Sequence, residues 1–522
     1  MNASESCFEV VIVGAGFSGL LCASYLTQSG VNNVRVFEMT SSVGGVWANG
    51  GVGSYPGAAC DVPSYMYLPL LDRTGFIPTK KYVTQPEIAS YAEMMTDYVG
   101  IREKIRFSRK VIEVKYLGNG KNIWQITTVD TETGACSEVA TCQHFVSANG
   151  PLSSPRLPEF GGMELFNGES FHTAQWDKNA VLEGKRVGII GTGASAAQVI
   201  TAIADDVKSL HVFQRTPTWA LPREDEPTPP HVEEQFRAGG YSEMLRLAAR
   251  KGEYPPGEQF IDFDAIHDEN QNAVVCGQLA EAIEKDVDDP KIAKLLTPNY
   301  PFWCKRVLFI DDYFTTFNKP NVTLIHDEGG VVSVDETGLN IARGEHFEFD
   351  TIIYATGFDS NFIPFPIYGR NGVSLAEKFG ANEKNRYQMT RPHSLWGIHV
   401  DDMPNLYMMI GPQSLNPVTN VTLLCEQQAQ YIASLITKMS DNGYRIVEPS
   451  KKAVEDWTKL CDSTSQDKVW LRCNNWYMKT TKTDVEKRRE RSSGMWMETY
   501  EEYLNYLFEG KGGTQQDLLQ YS

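Results

Sequence analysis

The sequence has no apolar run long enough to cross a membrane and no C-x-x-C pair among its ten cysteines. A spanning helix needs about 20 apolar residues, so no membrane span is predicted. Without a C-x-x-C pair, a dithiol redox centre, a zinc ribbon and a disulfide scaffold are disfavoured, and each cysteine is interpreted as a small buried hydrophobe. The nine histidines show neither H-x-x-x-H nor H-E-x-x-H spacing, so no metal site is predicted.

The sequence also has fewer basic residues than acidic ones. Lysine and arginine number 48 against 66 acidic residues, a net charge of −18. Such a field repels nucleic acid and anionic membrane surfaces, so neither is an expected partner. A phosphate-bearing ligand must then be held by local basic groups and backbone N–H donors. The N-terminus has no basic segment followed by an apolar one, so no signal peptide is predicted and a cytoplasmic location is expected.

The N-terminal segment has the pattern of a β-α-β unit. An apolar run, "FEVVIVGAG", is followed by helical spacing over 18–29 and a second strand over 34–38. The intervening turn carries Gly14, Gly16 and Gly19 as G-x-G-x-x-G, the pattern that lets a backbone approach a pyrophosphate at a helix N-terminus. Glu38 follows Gly14 by 24 residues. Its carboxylate suits ribose hydroxyls and repels a 2′-phosphate, which predicts FAD here.

The same pattern returns at 186–215 with a charge of the opposite sign. Gly191, Gly193 and Ala196 form the turn, and Arg215 again follows the first glycine by 24 residues. A guanidinium binds a phosphate bidentately, and the hydroxyl of Thr216 can add a hydrogen bond, so this unit is predicted to hold NADP. The alternative is that Arg215 is a solvated cation at a strand end.

The predicted fold class is therefore α/β, with two Rossmann-like dinucleotide-binding domains and a helical insert. Residues 145–155 and 351–360 are interpreted as crossovers between the domains. The FAD-binding domain is predicted over 1–150 and 361–522, and the NADP-binding domain over 151–360. Amphipathic segments over about 221–300 predict the insert, expected to cap or enlarge the second domain.

Residues 166–177, "FNGESFHTAQWD", match the pattern F-x-G-x-x-x-H-x-x-x-W-[P/D]. By this fingerprint the chain resembles the Baeyer–Villiger monooxygenases, and further segments such as 44–67, 213–219, 304–306 and 474–477 have counterparts in that family. The sequence departs from the family at Ala59, where arginine is common, and at Pro63, where glutamate is common. The fingerprint residues are Phe166, Gly168, His172, Trp176 and Asp177.

The resemblance implies roles for individual residues. Arg306 is implied to be the active-site arginine, with Asp61 beside it. Lys305 is implied to join Arg215 at the NADP phosphate, and Trp476 to contact nicotinamide or substrate. His172 and its neighbours are implied to govern the link between domains, the alternative being a buried histidine beside a packed indole. The other implied cofactor-binding residues are Gly45, Val46, Trp47, Tyr67, Val111 and Gln198.

The implied activity is oxygen insertion next to a ketone carbonyl. NADPH would reduce FAD, and dioxygen would form a flavin C4a-peroxide that converts a hydrophobic ketone into an ester or lactone. One alternative is oxidation of amine nitrogen or thioether sulfur with the same cofactors. A disulfide reductase is disfavoured by the missing C-x-x-C pair, and a non-catalytic flavin sensor by Arg306 and Asp61. The basic segment 479–493 is either a solvated face or a lid over NADP.

Overall fold

The computed structural model describes residues 5–118, 120–251, 264–359, 362–381, 389–416, 420–466, 468–473, 475 and 494–522. In chain order the strands are β1 Glu5–Val13, β2 Val34–Phe37, β3 Ile105–Arg106, β4 Arg109–Leu117, β5 Ile123–Asp130, β6 Cys136–Ser147, β7 Ser154–Pro155, β8 Glu169–His172, β9 Arg186–Ile190, β10 Ser209–Gln214, β11 Ala220–Leu221, β12 Leu308–Phe309, β13 Val322–His326, β14 Val331–Val334, β15 Gly338–Ile341, β16 His346–Glu348, β17 Thr351–Tyr354, β18 Phe358–Asp359, β19 Ile367–Tyr368, β20 Leu406–Met408, β21 Val447–Pro449 and β22 Leu519–Tyr521.

The α-helices are α1 Phe17–Gln28, α2 Ser64–Tyr67, α3 Leu71–Thr74, α4 Gln85–Tyr98, α5 Ala194–Ile203, α6 Pro230–Ala238, α7 Tyr241–Lys251, α8 Asp264–His267, α9 Glu269–Asp286, α10 Pro290–Leu296, α11 Leu375–Lys378, α12 Val421–Asn442, α13 Lys451–Thr464, α14 Tyr500–Phe508 and α15 Gln515–Leu518. Short 3₁₀ turns include Gly45–Trp47 and Val469–Arg472.

The first sheet contains the N-terminal β-α-β unit. Its strand order is β19-β4-β5-β6-β1-β2-β3, and β20 also pairs with β6. Strand β1 lies between β2 and β6 and is parallel to both, so three carboxyl ends meet at one edge. In an open α/β sheet a ligand binds outside that edge. Helix α1 packs between β1 and α12, and its inward residues Leu20 and Leu21 are fully buried.

The second sheet is parallel throughout, in the order β13-β10-β9-β17-β8. Its β9-α5-β10 segment is the second β-α-β unit expected from the sequence. Parallel sheets bury both faces, which explains why β9 and β17 read as continuous apolar runs. The α/β fold with two such units is therefore confirmed.

The chain crosses between the sheets twice, and the two crossings pair with each other. Strand β7, after the first sheet, is antiparallel to β18, which follows β17 of the second. After β18 the chain returns to the first sheet through β19 and β20. Strands β7 and β18 fall within residues 145–155 and 351–360. The domain boundaries at 150 and 360 stay predictions.

The predicted insert is helical, but its helices divide between two cores. Helices α8, α9 and α10 pack against the second sheet through residues such as Ile266 and Leu296, as expected. Helices α6 and α7 pack instead in the core of the first sheet, through Phe236 and Leu245. Buried Arg246 of α7 fixes them there, because it donates to Met66 O and pairs with Glu426 of α12. The expectation that the whole insert enlarges the second domain is wrong for α6 and α7.

The interpretation of the cysteines needs one correction. Cys304 and Cys473, 169 residues apart, are joined by a disulfide with 6.0 Å between their Cα atoms. Residue spacing carries no sign of this pair, because packing of the 469–473 turn on the second core brings the two together. Cys7 is exposed, whereas Cys22, Cys60, Cys142, Cys425 and Cys461 are buried as expected. Within the described residues, no helix combines the length and the apolar character needed to cross a bilayer.

Candidate active site

The first glycine loop lies where β1 ends and α1 begins, and its geometry leaves no room for a side chain at Gly14 or Gly19. Gly14 has φ +106°, and a Cβ there would stand 2.5 Å from Ala148 O on the adjacent strand end. A Cβ on Gly19 would overlap the Gly14 carbonyl, at 1.9 Å. The 3₁₀ turn at Gly45–Trp47 lies across the loop, since a Cβ on Gly45 would come within 2.9 Å of Gly16 Cα. The result is an exposed backbone cradle at a helix N-terminus, which fits a pyrophosphate.

Glu38 follows β2 beside this loop and is only 6% exposed. Its Oε2 accepts a hydrogen bond from Ala15 N at 2.8 Å, and its Oε1 accepts from the N–H and hydroxyl of Thr40 at 2.8 and 2.9 Å. A carboxylate has about four lone-pair sites, so acceptor capacity remains for ribose hydroxyls. The carboxylate is thus fixed in place, as the first cradle requires.

We expect Gly14→Ala to yield protein that has lost its yellow colour. The alanine would face both left-handed backbone strain of about 1–3 kcal/mol and the clash with Ala148 O. The measurement is the ratio of flavin to protein absorbance after purification. Gly30→Ala is a matched control, because Gly30 has φ +89° and nothing within 4 Å of an added Cβ. Equal flavin loss in both variants would contradict the role of the cradle.

The second loop repeats this geometry between β9 and α5. Gly191 has φ +117°, and its added Cβ would stand 2.5 Å from Ala355 O. Gly193 has open space where its Cβ would be, and Ala196 is buried under the helix. The hydroxyl of Thr192 donates to Thr216 O at 2.9 Å and so ties the loop to the end of β10. This loop also fits a pyrophosphate.

Two cations face each other beside the second loop. Arg215 is exposed at the end of β10, and Lys305 is half-buried on the ring of Tyr300, with 4.7 Å from Nζ to the ring centroid. Burial lowers the pKa of Lys305 from 10.5, and the charge of Arg215 lowers it further. Within the described part of the chain, no carboxylate pairs with either cation. Two adjacent cations of this kind are suited to bind a phosphate, so their role at the NADP phosphate stays a prediction.

We expect NADP⁺ binding to weaken as the pH rises through the lowered pKa of Lys305. The neutral amine cannot attract the 2′-phosphate, and loss of one charge-assisted contact weakens binding about tenfold. Titrations of NADP⁺ binding between pH 7 and 10 measure this. Lys305→Arg should remove the step, because guanidinium stays charged over this range. An unchanged step in Lys305→Arg would show that another group titrates.

Arg306 lies next to Lys305 but turns toward the first sheet. Its Nη2 is 2.6 Å from the Asp61 carboxylate, although the two residues are 245 positions apart. The side chains are 32% and 26% exposed, so both members of the pair remain accessible to solvent. Burial raises the pKa of Cys60, and Asp61 and Arg306 act on it in opposite directions. Burial also raises the pKa of Tyr67, whose hydroxyl accepts a 2.7 Å hydrogen bond from Trp47 Nε1.

The fingerprint surrounds the crossing between the sheets. His172 ends β8, pairs with Tyr354 of β17 and is 1% exposed. Its Nδ1 accepts from Ala174 N at 3.0 Å. Burial lowers the pKa of His172, and the nearby Gly357 backbone partly offsets this shift. The imidazole lies at the end of the second sheet, with 6.0 Å between its ring centroid and that of Phe358 in β18.

The other fingerprint residues pack locally. Trp176 lies edge-on to Phe171 with 4.8 Å between the ring centroids, and exposed Asp177 accepts from Asn179 N. A Cβ on Gly168 would stand 2.6 Å from Asp350 O and 2.5 Å from the ring of Phe166. The role of these residues in the link between the domains stays a prediction.

The remaining implied residues are scattered. Val111 is buried in β4, and Val46 is exposed in the turn over the first loop. Gln198 is buried in α5, with both ends of its amide bonded to protein. Trp476 and the basic segment 479–493 lie outside the described residues. Sequence reasoning missed Thr40 at Glu38 and Tyr300 under Lys305, because neither belongs to a motif.

Comparison with known proteins agrees with this geometry. A family profile described as flavin-binding monooxygenase-like matches residues 8–234. A Baeyer–Villiger monooxygenase of Stachybotrys chlorohalonatus is 33% identical over 87% of this chain and 76% of its own. The 2-oxo-Δ3-4,5,5-trimethylcyclopentenylacetyl-CoA monooxygenase of Pseudomonas putida is 29% identical over 92% of both chains.

Solved structures agree as well. The crystal structure of OTEMO with FAD and NADP covers 99% of this chain with a TM-score of 0.87 at 26% identity. Cyclohexanone monooxygenase from Rhodococcus sp. Phi1 with NADP⁺ gives the same TM-score and identity. The first glycine loop, with Glu38 beside it, fits FAD. The second, with Arg215 and Lys305 beside it, fits NADP. The chain belongs to the Baeyer–Villiger monooxygenase family and is an FAD- and NADPH-dependent flavin monooxygenase.

Proposed function

We propose that this enzyme inserts one oxygen atom next to the carbonyl of a hydrophobic ketone and that Arg306 and Asp61 are its catalytic pair. The observation that carries the proposal is the 2.6 Å contact between these side chains, both of which are partly exposed. Lys305, the neighbour of Arg306, faces the predicted NADP phosphate site. One short loop therefore serves both the nicotinamide nucleotide and the reacting centre.

Arg306 supplies a positive charge that the reaction cannot remove. FAD, when bound, supplies hydride acceptance from NADPH and the activation of dioxygen. Insertion places negative charge on the former carbonyl oxygen of the ketone. A preorganised guanidinium stabilises that oxygen more than it stabilises the neutral ketone, and its pKa is too high for it to act as an acid. Lysine in its place could lose its proton.

Asp61 fixes the guanidinium. A carboxylate 2.6 Å from Nη2 holds one edge of Arg306 and so fixes the direction of its guanidinium. The pair also lowers the cost of a half-buried cation before the ketone arrives. Asp61→Asn would keep the shape and remove that charge.

The surroundings of the pair favour an apolar substrate. Cys60 and Tyr67 are buried near Asp61, and the Trp47 and Tyr67 rings meet edge-to-face with 6.1 Å between centroids. Leu415 is half-buried where both cores meet. Tyr65 and Met66 are packed in the first core. These neighbouring side chains are uncharged, so they would not compensate the desolvation of an ionic substrate.

The test is incubation of the holoenzyme with NADPH, air and a panel of cyclic, aryl and long-chain ketones plus one thioether. Mass spectrometry identifies any product that has gained one oxygen. The proposal expects esters or lactones from apolar ketones and none from ketones that carry a carboxylate. Sulfoxide formation with no ester from any ketone would contradict it.

A further inference from the structure

Gln198 lies between the NADP loop and the segment that carries Asp61. Gln198 lies in the second turn of α5, the helix that begins directly after Gly193, and it is 9% exposed. Its Oε1 accepts from the Tyr55 hydroxyl at 2.9 Å, and its Nε2 donates to Ala59 O at 2.8 Å. Both bonds cross from the second sheet's unit to a segment of the first.

The orientation of the Gln198 amide follows from its partners. Ala59 O can only accept, so the NH₂ group must face it, and the amide oxygen then faces Tyr55. Replacement by leucine would keep the volume and leave the buried Ala59 carbonyl without this donor. The two bonds therefore hold both ends of the segment 55–59 against α5.

Close packing of the Gly57 backbone also holds the segment 55–59 against α5. Gly57 has φ +77°, and a Cβ on it would stand 2.5 Å from Gln198 O and 2.9 Å from Ala202 Cβ. The segment therefore contacts α5 so closely that only glycine fits. On its other side, Ala58 O accepts from Gln85 N at 2.8 Å. The segment 55–59 is thus held from two directions, and Asp61 follows it by two residues.

We propose that Gln198 is a positioning residue that sets the Asp61–Arg306 geometry from the helix that begins at the NADP loop. The inference rests on the proposed role of the catalytic pair. Helix α5 binds the nucleotide phosphate at its N-terminus and holds residues 55–59 through Gln198. It therefore fixes the position of the Asp61–Arg306 pair relative to the bound nucleotide. Its side chain then binds the protein rather than the cofactor.

The expected effect is a loss of coupling, which is the amount of ester formed per NADPH consumed. Reduction of the flavin by NADPH should be retained. In Gln198→Leu a small displacement of Asp61 lowers ester formed per NADPH consumed at least tenfold, because an error of about 1 Å in a catalytic group costs up to a hundredfold. The remaining NADPH is consumed with release of hydrogen peroxide. Tyr55→Phe removes one of the two bonds and should give a smaller loss. Asn321→Ala is the matched control, since it removes two side-chain bonds, to Ala204 O and Val207 O, at the far end of the same unit.

Gln198→Glu separates positioning from general destabilisation. An ionised Glu can only accept hydrogen bonds, so its carboxylate oxygen would repel Ala59 O. A protonated Glu can donate to Ala59 O and accept from the Tyr55 hydroxyl. Coupling in this variant should recover as the pH falls, and we expect no such recovery in the wild type. The other groups that face this position are the Tyr55 hydroxyl, whose pKa burial raises, and the Asp61–Arg306 pair on the neighbouring segment.

The decisive measurement is hydrogen–deuterium exchange of the FAD-loaded protein without ketone. We expect faster exchange over 55–61 in Gln198→Leu than in wild type, with α4 unchanged and no effect in Asn321→Ala. Unchanged exchange over 55–61, or a Gln198→Glu variant without recovery at low pH, would overturn the inference. If exchange rises but no variant or wild type forms ester, the positioning contact stands and the proposed function fails.

Discussion

Replacing Arg306 by alanine or lysine is expected to abolish ester formation while NADPH still reduces the flavin. The guanidinium is the fixed charge beside the reacting oxygen, and loss of one such donor costs about 10²–10³ in rate. Lysine fails because it is shorter, cannot form the planar contact with Asp61, and can lose its proton. Stopped-flow absorbance follows flavin reduction, and gas chromatography follows the ester.

The control for this prediction is Arg186→Lys. Arg186 also pairs with an aspartate, Asp350, but at the opposite end of β9, away from the glycine loop. We expect normal ester yield from that variant. Normal ester yield from Arg306→Ala would remove Arg306 from the catalytic pair.

Removing the guanidinium at Arg215 is expected to erase the preference for NADPH over NADH. A charge-assisted contact to phosphate contributes about 1.5–3 kcal/mol, which corresponds to roughly 10–150-fold in kcat/KM for NADPH. NADH lacks the phosphate, so its kcat/KM should change little. Arg215→Asp should go further, because a carboxylate repels the phosphate and can accept from ribose hydroxyls.

The measurement is kcat/KM for both nucleotides at low and high salt. Arg343→Ala is the control, since it removes another exposed cation of the second unit that is already paired with Glu345. An Arg215→Ala variant that retains its preference for NADPH would place the phosphate elsewhere.

The two β-α-β units could be predicted from the sequence because their determinants are local. A strand, a glycine turn and a helix lie within about 30 residues, and the charge at the end of the second strand distinguishes their ligands. Glu38 and Arg215 both lie where that argument requires. Helices in the insert were equally predictable from their apolar periodicity.

Contacts between distant residues could not be derived in this way. Nothing in the spacing of Asp61 and Arg306 shows that they meet, and only the family resemblance placed them together. The periodicity of α7 marks a helix but not the core that receives it, which Arg246 decides by pairing with Glu426. The Cys304–Cys473 disulfide likewise depends on long-range packing. Local chemistry predicts elements, whereas the site arises from their assembly.

The most direct test of the account is turnover of an apolar ketone by the holoenzyme with NADPH under isotopically heavy dioxygen. The account predicts an ester or lactone that carries one heavy oxygen in its new C–O–C linkage, and none of this product from Arg306→Ala. An unlabelled ester, or labelled ester formed equally well by Arg306→Ala, would contradict it.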